Sequence, residues 1–405
     1  MSSSAWVEVK LEEIINIEMG QSPKSEFYNT EGKGLPFLQG NRTFGDKYPT
    51  FDTFCTDIKR KANQGDVIMS VRAPVGDLNI ATENICIGRG VCAMNMKNHN
   101  NMYLFYLLKQ NIKKLINRES GTIFGSVNKN DICGLEVLYT SNEREQSEIA
   151  ATISCVDEKI DINKRINKNL EDMAQTIFKN WFVDFEPFQE GEFEESEFGR
   201  IPKGWRVTKI EDVTKESNTG GDAIQKTPMV DYDTGIKCVR VGDLSNQRNI
   251  DGWGYSNVNE ENFRKYQLKK NDIVVTRTAT LGLNQIIDED LMAVYNNGLI
   301  RIKLNDKVVP LFFYQTINTD KYKEYIGCIE SESSTRPNMK MNYLLSYKFI
   351  CPPIEIQEEF VDIIERLRQQ RLNLYKQTNI LTTIRDSILP KLMKGEIRIP
   401  LEEVQ

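Results

Sequence analysis

Residues 142–185 read NEREQSEIAATISCVDEKIDINKRINKNLEDMAQTIFKNWFVDF, and this stretch decides the architecture. Alternating steps of four and three from Ile149 fall on Ile153, Val156, Ile160, Asn163, Asn167, Leu170, Ala174, Ile177 and Trp181. Eight of these ten positions are apolar, and the residues between them are mostly Glu, Asp, Lys, Arg and Asn. That spacing predicts a heptad seam on one helix of roughly 40 residues, about 60 Å long. Neither Gly nor Pro interrupts it before Pro187, and Asn142 with Glu145 three residues on has the form of a capping box. A seam of this length needs a partner of equal length.

The chain supplies one. The same rhythm runs through Ile356, Phe360, Ile363, Leu367, Gln370, Leu374, Gln377, Leu381, Ile384 and Ile388 and stops at Pro390 and Gly395. Each seam is apolar at both ends and carries two amides near its middle, the pattern by which buried polar layers fix register at a cost in stability. The alternative is two independent amphipathic helices, each packed on its own domain; the matched lengths and polar layers favour pairing.

The rest of the chain reads twice. Trp6 opens one segment and Trp205 another: Trp-Val-Glu-Val-Lys-Leu against Trp-Arg-Val-Thr-Lys-Ile. Residues 65–70, Gly-Asp-Val-Ile-Met-Ser, match residues 271–276, Asn-Asp-Ile-Val-Val-Thr, and Gly76 matches Gly282. Gly88-Arg89-Gly90 aligns with Asn296-Asn297-Gly298, Leu104-Phe105-Tyr106 with Phe312-Phe313-Tyr314, and Glu145-Gln146 with Ile356-Gln357. The offset grows from 199 to 211, so a few insertions separate two copies of one unit, a globular part followed by a long helix. A duplicated chain of this kind implies a pseudo-two-fold axis, which makes the paired helices antiparallel.

Within each copy, short β-branched and aromatic runs predict strands at 67–71 and 85–94 in the first and at 236–241, 273–276 and 299–304 in the second. A shorter helix follows each set, at 102–117 and 311–326. The expected class is therefore α+β: two mixed α/β domains related by pseudo-two-fold symmetry and joined by an antiparallel coiled coil. The expected divisions are a first domain at 1–141, a long helix at 142–188, a Glu-rich exposed connector at 189–200, a second domain at 201–353 and a second long helix at 354–395.

Composition narrows the function. No run of 18 apolar residues and no signal-peptide core are present, which places the chain in the cytoplasm as an expectation. Eight cysteines without a Cys-x-x-Cys pair read as reduced residues, neither a disulfide framework nor a zinc site. The net charge of −6 argues at first against nucleic acid. Counted by segment, residues 1–140 carry 16 basic and 15 acidic groups and residues 201–352 carry 21 and 19, so the acid is concentrated in the helices and connector. A polyanion contact is then a local patch or is shared with a basic partner.

Several motifs resemble the specificity subunits of type I restriction–modification systems. Ile177-Phe178-Lys179-Asn180-Trp181-Phe182-Val183-Asp184-Phe185-Glu186-Pro187-Phe188 resembles the end of that family's central conserved region, and Ile201-Pro202-Lys203-Gly204-Trp205 resembles the opening of its second half. Residues 65–77, GDVIMSVRAPVGD, are similar to a pattern of its target recognition domains, and Pro352-Pro353-Ile354-Glu355-Ile356-Gln357 is similar to the Pro-rich start of its distal helix. The first copy departs here, with Tyr139-Thr140-Ser141-Asn142 in place of the prolines, which bears on how that helix begins. The similarity covers essentially the whole chain. It implies a non-catalytic subunit whose two domains each read half of a split, asymmetric DNA target. It also implies an antiparallel coil that spaces the domains and binds two modification subunits. Those partners bring S-adenosylmethionine and methylate adenine, and restriction subunits add translocation and cleavage of unmodified DNA.

The residues themselves agree with a chain that holds no cofactor. There is no Asn-Pro-Pro-Tyr or Asn-Pro-Pro-Phe to hold a flipped base, and no Gly-rich phosphate or dinucleotide loop. His99 is the sole histidine, and Asp157-Glu158-Lys159 lies on the long helix as a solvated face, not a nuclease site. The alternative function is a coiled-coil scaffold without DNA readout; matched polar clusters in both copies favour DNA. In the first copy these are Gln39, Asn41, Arg42, Ser70, Arg72, Arg89, Ser120, Thr122 and Ser126. In the second they are Arg240, Asp243, Thr276, Arg277, Thr278, Asn296, Asn297, Ser333, Ser334, Thr335 and Arg336. Such side chains in Gly-flanked turns read base edges or hold phosphates. With Gly76 and Gly282 aligned, Arg72 falls opposite Thr278 and Arg277 opposite Val71. In a strand, that slip of one residue turns the guanidinium to the other face, so the two copies read different bases.

Overall fold

The computed structural model describes residues 6–399 apart from 118–124, 222–228, 247, 249 and 332–336. The chain forms two compact units, residues 1–165 with 374–405 and residues 166–373. Each long helix thus gives one part to each unit.

In the first unit a four-stranded antiparallel sheet runs in the order Ile15–Met19, Val91–Met96, Val67–Ser70, Leu78–Ile80. The second unit repeats it as Thr214–Thr219, Leu299–Leu304, Ile273–Thr276, Asn284–Ile286. A two-strand ribbon pairs Trp6–Lys10 with Glu136–Thr140, and its counterpart pairs Arg206–Lys209 with Lys348–Cys351. The first ribbon begins at Trp6 and the second one residue after Trp205, the two tryptophans that the sequence aligns. A second, mixed sheet in each unit places one strand parallel to its neighbour: Leu35–Leu38 beside Ile85–Ile87, and Lys237–Val239 beside Ala293–Tyr295.

Three expected elements come out differently. The run 85–94 is two strands in two sheets, divided at Gly88-Arg89-Gly90. A Cβ on Gly88 would stand 3.0 Å from the Gln39 Cα and one on Gly90 2.4 Å from the Gln39 carbonyl oxygen, so only glycine lets these chains cross. The helix expected over 311–326 is two, Pro310–Thr316 and Asp320–Ser331. Between them Asn318 turns its amide onto the Tyr314 carbonyl (2.7 Å) and the Thr319 hydroxyl donates to the Thr316 carbonyl (2.9 Å), a local alternative to the helical ladder. The connector contains a hairpin, Phe193–Ser196 against Gly199–Pro202, largely exposed.

The long helices span Glu143–Phe182 and Ile354–Leu392. Asn142 caps the first, its side-chain oxygen accepting from the backbone N–H of Arg144 (3.1 Å) and Glu145 (3.2 Å). Glu145 does not complete the expected box; its carboxylate accepts from the buried Thr140 hydroxyl at 2.7 Å. The aligned Gln146 and Gln357 are both fully buried. Each donates to a carbonyl at the end of the preceding strand, Thr140 at 2.7 Å and Pro352 at 2.8 Å.

The helices pack antiparallel within each unit. In the first, Asn163 meets Gln377 (2.8 Å) and Asp157 meets Arg385 (3.0 Å); in the second, Glu171 meets Arg371 (3.1 Å) and Phe182 meets Phe360, rings 4.9 Å apart. Positions rising on one helix pair with positions falling on the other. The first seam holds well, but the second drifts: Ile363 and Ile384 are each 42% exposed, while Ile364 is buried. A straight helix at 3.6 residues per turn slips about 20° per heptad, which moves its buried stripe off a strict seven-residue count.

The motif 177–188 owes its aromatics to one cluster. Phe178, Phe182, Phe312 and Phe360 form its buried part, and Trp205 stacks edge-on to Phe188 at 4.9 Å. Phe185, at φ 54°, turns the chain in the left-handed region three residues after the helix ends and opens the short 3-10 turn Glu186–Phe188. In the first unit the globular part is tied to both helices by a polar network. The Lys47 ammonium, 4% exposed, donates to the Ser154 hydroxyl (3.2 Å). The Tyr106 hydroxyl donates to Asp157 (2.7 Å), which also accepts from Arg385 (3.0 Å). Burial lowers the pKa of nearby Lys109, with the Asp157 charge opposing it.

Candidate nucleic-acid interface

Backbone hydrogen bonds assemble the predicted residues of each unit into a row of crossing chains. In the first unit the Gly88 N–H donates to the Leu38 carbonyl (2.9 Å), Val71 to Gly90 (2.9 Å) and Val127 to Val71 (3.0 Å). In the second, Asn296 donates to Val239 (3.2 Å), Arg277 to Gly298 (2.8 Å) and Met339 to Arg277 (2.7 Å). The two ladders match bond for bond. Isolated bridges extend the match, joining Arg72 to Ser126 and Thr278 to Asn338. Gly76 and Gly282 close the adjoining loops at φ 95° and 74°, each pressed against an isoleucine, Ile112 or Ile326.

Four nominated side chains of the first unit lie along its row. Gln39 ends one strand; its amide oxygen accepts from the Ser22 hydroxyl at 2.9 Å. Ser22 in turn accepts from Arg89, from the backbone N–H at 3.1 Å and from Nε at 3.3 Å. Arg72 and Ser126 are exposed next to each other, and among the described residues the Arg72 guanidinium has no hydrogen bond or ion pair. Asn41 and Arg42 follow Gln39. Asn41 donates to Asp77 (2.5 Å), and Arg42 grips Asp52 with both terminal nitrogens at 2.7 Å. That grip holds the Asp52 carboxyl below its ordinary range.

Ser70 does not reach the surface. It is 1% exposed; its hydroxyl donates to the Pro74 carbonyl (2.8 Å) and accepts from the Asp77 N–H (2.9 Å), so it shapes the loop that carries Arg72. Its counterpart Thr276 is equally buried, because both close the inward face of a central strand. Arg277 also departs from expectation. It occupies the place of buried Val71, and its guanidinium turns back on the protein, Nε donating to the Met339 carbonyl (3.2 Å) and Nη1 to the Asn297 carbonyl (3.2 Å). The slip read from the sequence is real and Arg277 is the strut of its row, while Thr278 takes the place of Arg72.

Asp243 is buried, 1% exposed, beneath two arginines. It accepts from the Arg240 backbone N–H (2.9 Å) and Nε (3.4 Å) and, on its other oxygen, from Arg248 Nη1 (3.4 Å). Asn296 accepts from the Gly298 N–H (3.1 Å) through its side chain, fixing the turn that carries Asn297. Ser120, Thr122, Ser333, Ser334, Thr335 and Arg336 lie outside the described residues. Ser22 and Arg248 were not anticipated. Gly20, two residues before Ser22, marks one: a Cβ there would stand 2.2 Å from the Gly88 carbonyl oxygen, and Gly220 is pinned in the same way on Asn296. Nothing in the sequence singles out Arg248.

The geometry defines a class: a duplicated α+β module that presents two equivalent rows of Arg, Asn, Gln and Ser/Thr side chains, built around a pair of antiparallel helices. The family model for the type I restriction modification DNA specificity domain matches residues 3–172 and again 202–383. The chain belongs to this family; it is a specificity subunit, and specificity subunits are non-catalytic. It is 26% identical to the MjaIX specificity subunit of Methanocaldococcus jannaschii over 97% of this chain and 94% of the other. A putative MjaX specificity subunit of the same organism is 35% identical over 42% of this chain and 40% of its own. The fold is also that of the S subunit structure from M. genitalium, with a TM-score of 0.62 at 18% identity over 97% of each chain. Among the described residues no helix is long and apolar enough to cross a membrane.

Proposed function

We propose that this chain selects a bipartite, asymmetric double-stranded DNA sequence, with residues 1–141 reading one half and residues 201–353 the other. The observation that carries this is the repeated row: one backbone ladder, occupied by different side chains in the two units. Gln39, Arg89 and Arg72 stand where Arg240, Asn297 and Thr278 stand. Two copies of one scaffold with unlike readers are what an asymmetric target demands.

The long helices dock two modification subunits, which bring S-adenosylmethionine and methylate adenine, and the assembly accepts restriction subunits that cleave unmodified DNA. Exposed apolar side chains on the helices support such docking: Ile162 (44%) and Ile380 (60%) in the first unit, Met173 (50%) in the second. The test is to assemble the chain with the modification proteins of its own system and map methylated adenines by sequencing native DNA. One split motif, lost when the chain is omitted, is the expected result. Assembly without sequence-selective binding or methylation would leave a scaffold and refute the reading.

A further inference from the structure

The two rows share one position where the side chains differ in the way that adenine and guanine differ. Strand Leu35–Leu38 lies parallel to Ile85–Ile87 with Leu38 opposite Ile87, and Lys237–Val239 lies parallel to Ala293–Tyr295 with Val239 opposite Tyr295. The next chain then donates to the last carbonyl of the strand, Gly88 to Leu38 and Asn296 to Val239. The first residue beyond each strand is therefore equivalent in both units: Gln39 in one and Arg240 in the other.

Each is held by a neighbour that leaves its recognition edge free. Ser22 spends its acceptor capacity on the two N–H groups of Arg89, so its own proton goes to Gln39 and fixes which end of the amide is oxygen. The exposed amide keeps Nε2 as a donor and a second lone pair on Oε1 as an acceptor, the pair that matches N7 and N6–H of adenine. Arg240 spends Nε on buried Asp243, and its side chain is 41% exposed. The two terminal nitrogens remain as a fork, the pair that matches O6 and N7 of guanine. Asp243 also holds Arg248 by one terminal nitrogen, which puts a second cation beside the fork.

We infer that this single position sets one base of each half-site, Gln39 selecting an adenine and Arg240 a guanine, with Ser22 and Asp243 as positioning residues. The inference rests on the DNA-reading function proposed above and goes beyond it by assigning bases to residues.

The test uses the full chain assembled with its modification subunits. In wild type, replacing the guanine read in the second half-site with 7-deazaguanine removes the N7 acceptor without touching the protein; binding should weaken about 5- to 150-fold at that position alone. The 7-deazaadenine substitution should do the same in the first half-site. Mapping the methylated sites of Arg240→Gln should show guanine at one position of one half replaced by adenine or no longer demanded. Gln39→Arg should make the reciprocal change in the other half. Equal weakening on all sequences, with the salt slope lowered by about one, means a phosphate contact and overturns the assignment. So does an unchanged motif in both variants at unchanged thermal stability. A wild-type complex that selects no sequence would instead remove the function on which the assignment stands.

Discussion

Replacing Asn163 with leucine should stabilise the first unit. Asn163 is fully buried; its amide nitrogen donates to Gln377 Oε1 at 2.8 Å, and its own oxygen meets no hydrogen-bond partner. Losing the one bond costs about 0.5–1.5 kcal/mol. Removing a buried carbonyl oxygen without a partner returns about 1–3 kcal/mol, and Gln377, being exposed, takes water in its place. A buried leucine adds about 1.5–3 kcal/mol of transfer energy, offset by about 1–3 kcal/mol if the larger side chain strains the seam. The balance is a gain of about 1–3 kcal/mol. At about 2–4 °C per kcal/mol for a body of this size, the melting temperature should rise by about 2–12 °C. Thermal unfolding of the purified full chain by circular dichroism reads it directly. The polar pair also fixes register, so amide exchange across 374–381 should quicken even as the melting point climbs. A fall in melting temperature would refute the reasoning, because it would mean that the Asn163 oxygen has a partner worth more than the whole apolar gain.

The purified chain alone should transfer no labelled methyl group to DNA and cut none; either activity would contradict its place as a specificity subunit. Arg277→Ala should lower stability by about 1–3 kcal/mol, since the Met339 and Asn297 carbonyls lose a donor. Arg72→Ala should leave the melting point alone and weaken DNA binding by the assembled complex; identical behaviour of the two variants would undo the distinction between strut and reader. Asp66 and Asp272 occupy the same place in the two copies, and burial raises both carboxyls above 3.8. A raised folded pKa gives stability that is present below 3.8 and lost as pH climbs through the folded value. Asp66→Asn should therefore match wild type in acid and exceed it at neutral pH, which melting curves at about pH 3.5 and 7 will check. Asp157→Ala takes the acceptor from the buried Tyr106 hydroxyl and one of two carboxylates from Arg385, Asp386 remaining at 2.8 Å, and should cost about 1–3 kcal/mol in chemical denaturation; a loss under about 0.5 kcal/mol would show that the network carries little.

Much of the fold was legible because it is periodic or repeated. The heptad spacing gave both helices and their starts, while the expected ends at 188 and 395 run past the observed ones at Phe182 and Leu392, and the Gln146–Gln357 alignment found two buried amides that do the same work. The Trp6–Trp205 match located the paired ribbons. What escaped depended on packing between distant segments. Gly88 and Gly90 break a strand only because Gln39 passes against them, and Asn318 breaks a helix by a bond to its own backbone. The candidate site was legible as clusters, less so residue by residue. Ser70, Thr276 and Asp243 are polar residues beside turns, as surface readers are, yet each is buried. Arg277 carries the charge expected of a DNA contact but spends it on carbonyls. Sequence spacing gives the face of a strand; it does not say whether that face is covered.

The Lys47–Ser154 and Tyr106–Asp157–Arg385 contacts bear on how such a protein can change over generations. Lys47 and Tyr106 belong to the stretch ahead of the first long helix, whereas Ser154, Asp157 and Arg385 belong to the helices. A recombination that joins a foreign globular stretch to the resident helices at residue 141 inherits an acid and a base already facing one another, and must bring a matching hydroxyl and ammonium or leave them half-answered. On the DNA-reading function proposed above, a new specificity would be filtered at the seam of the graft before it is ever tried on DNA, and second-site changes that rescue a poor graft should fall at 47, 106, 154, 157 or 385.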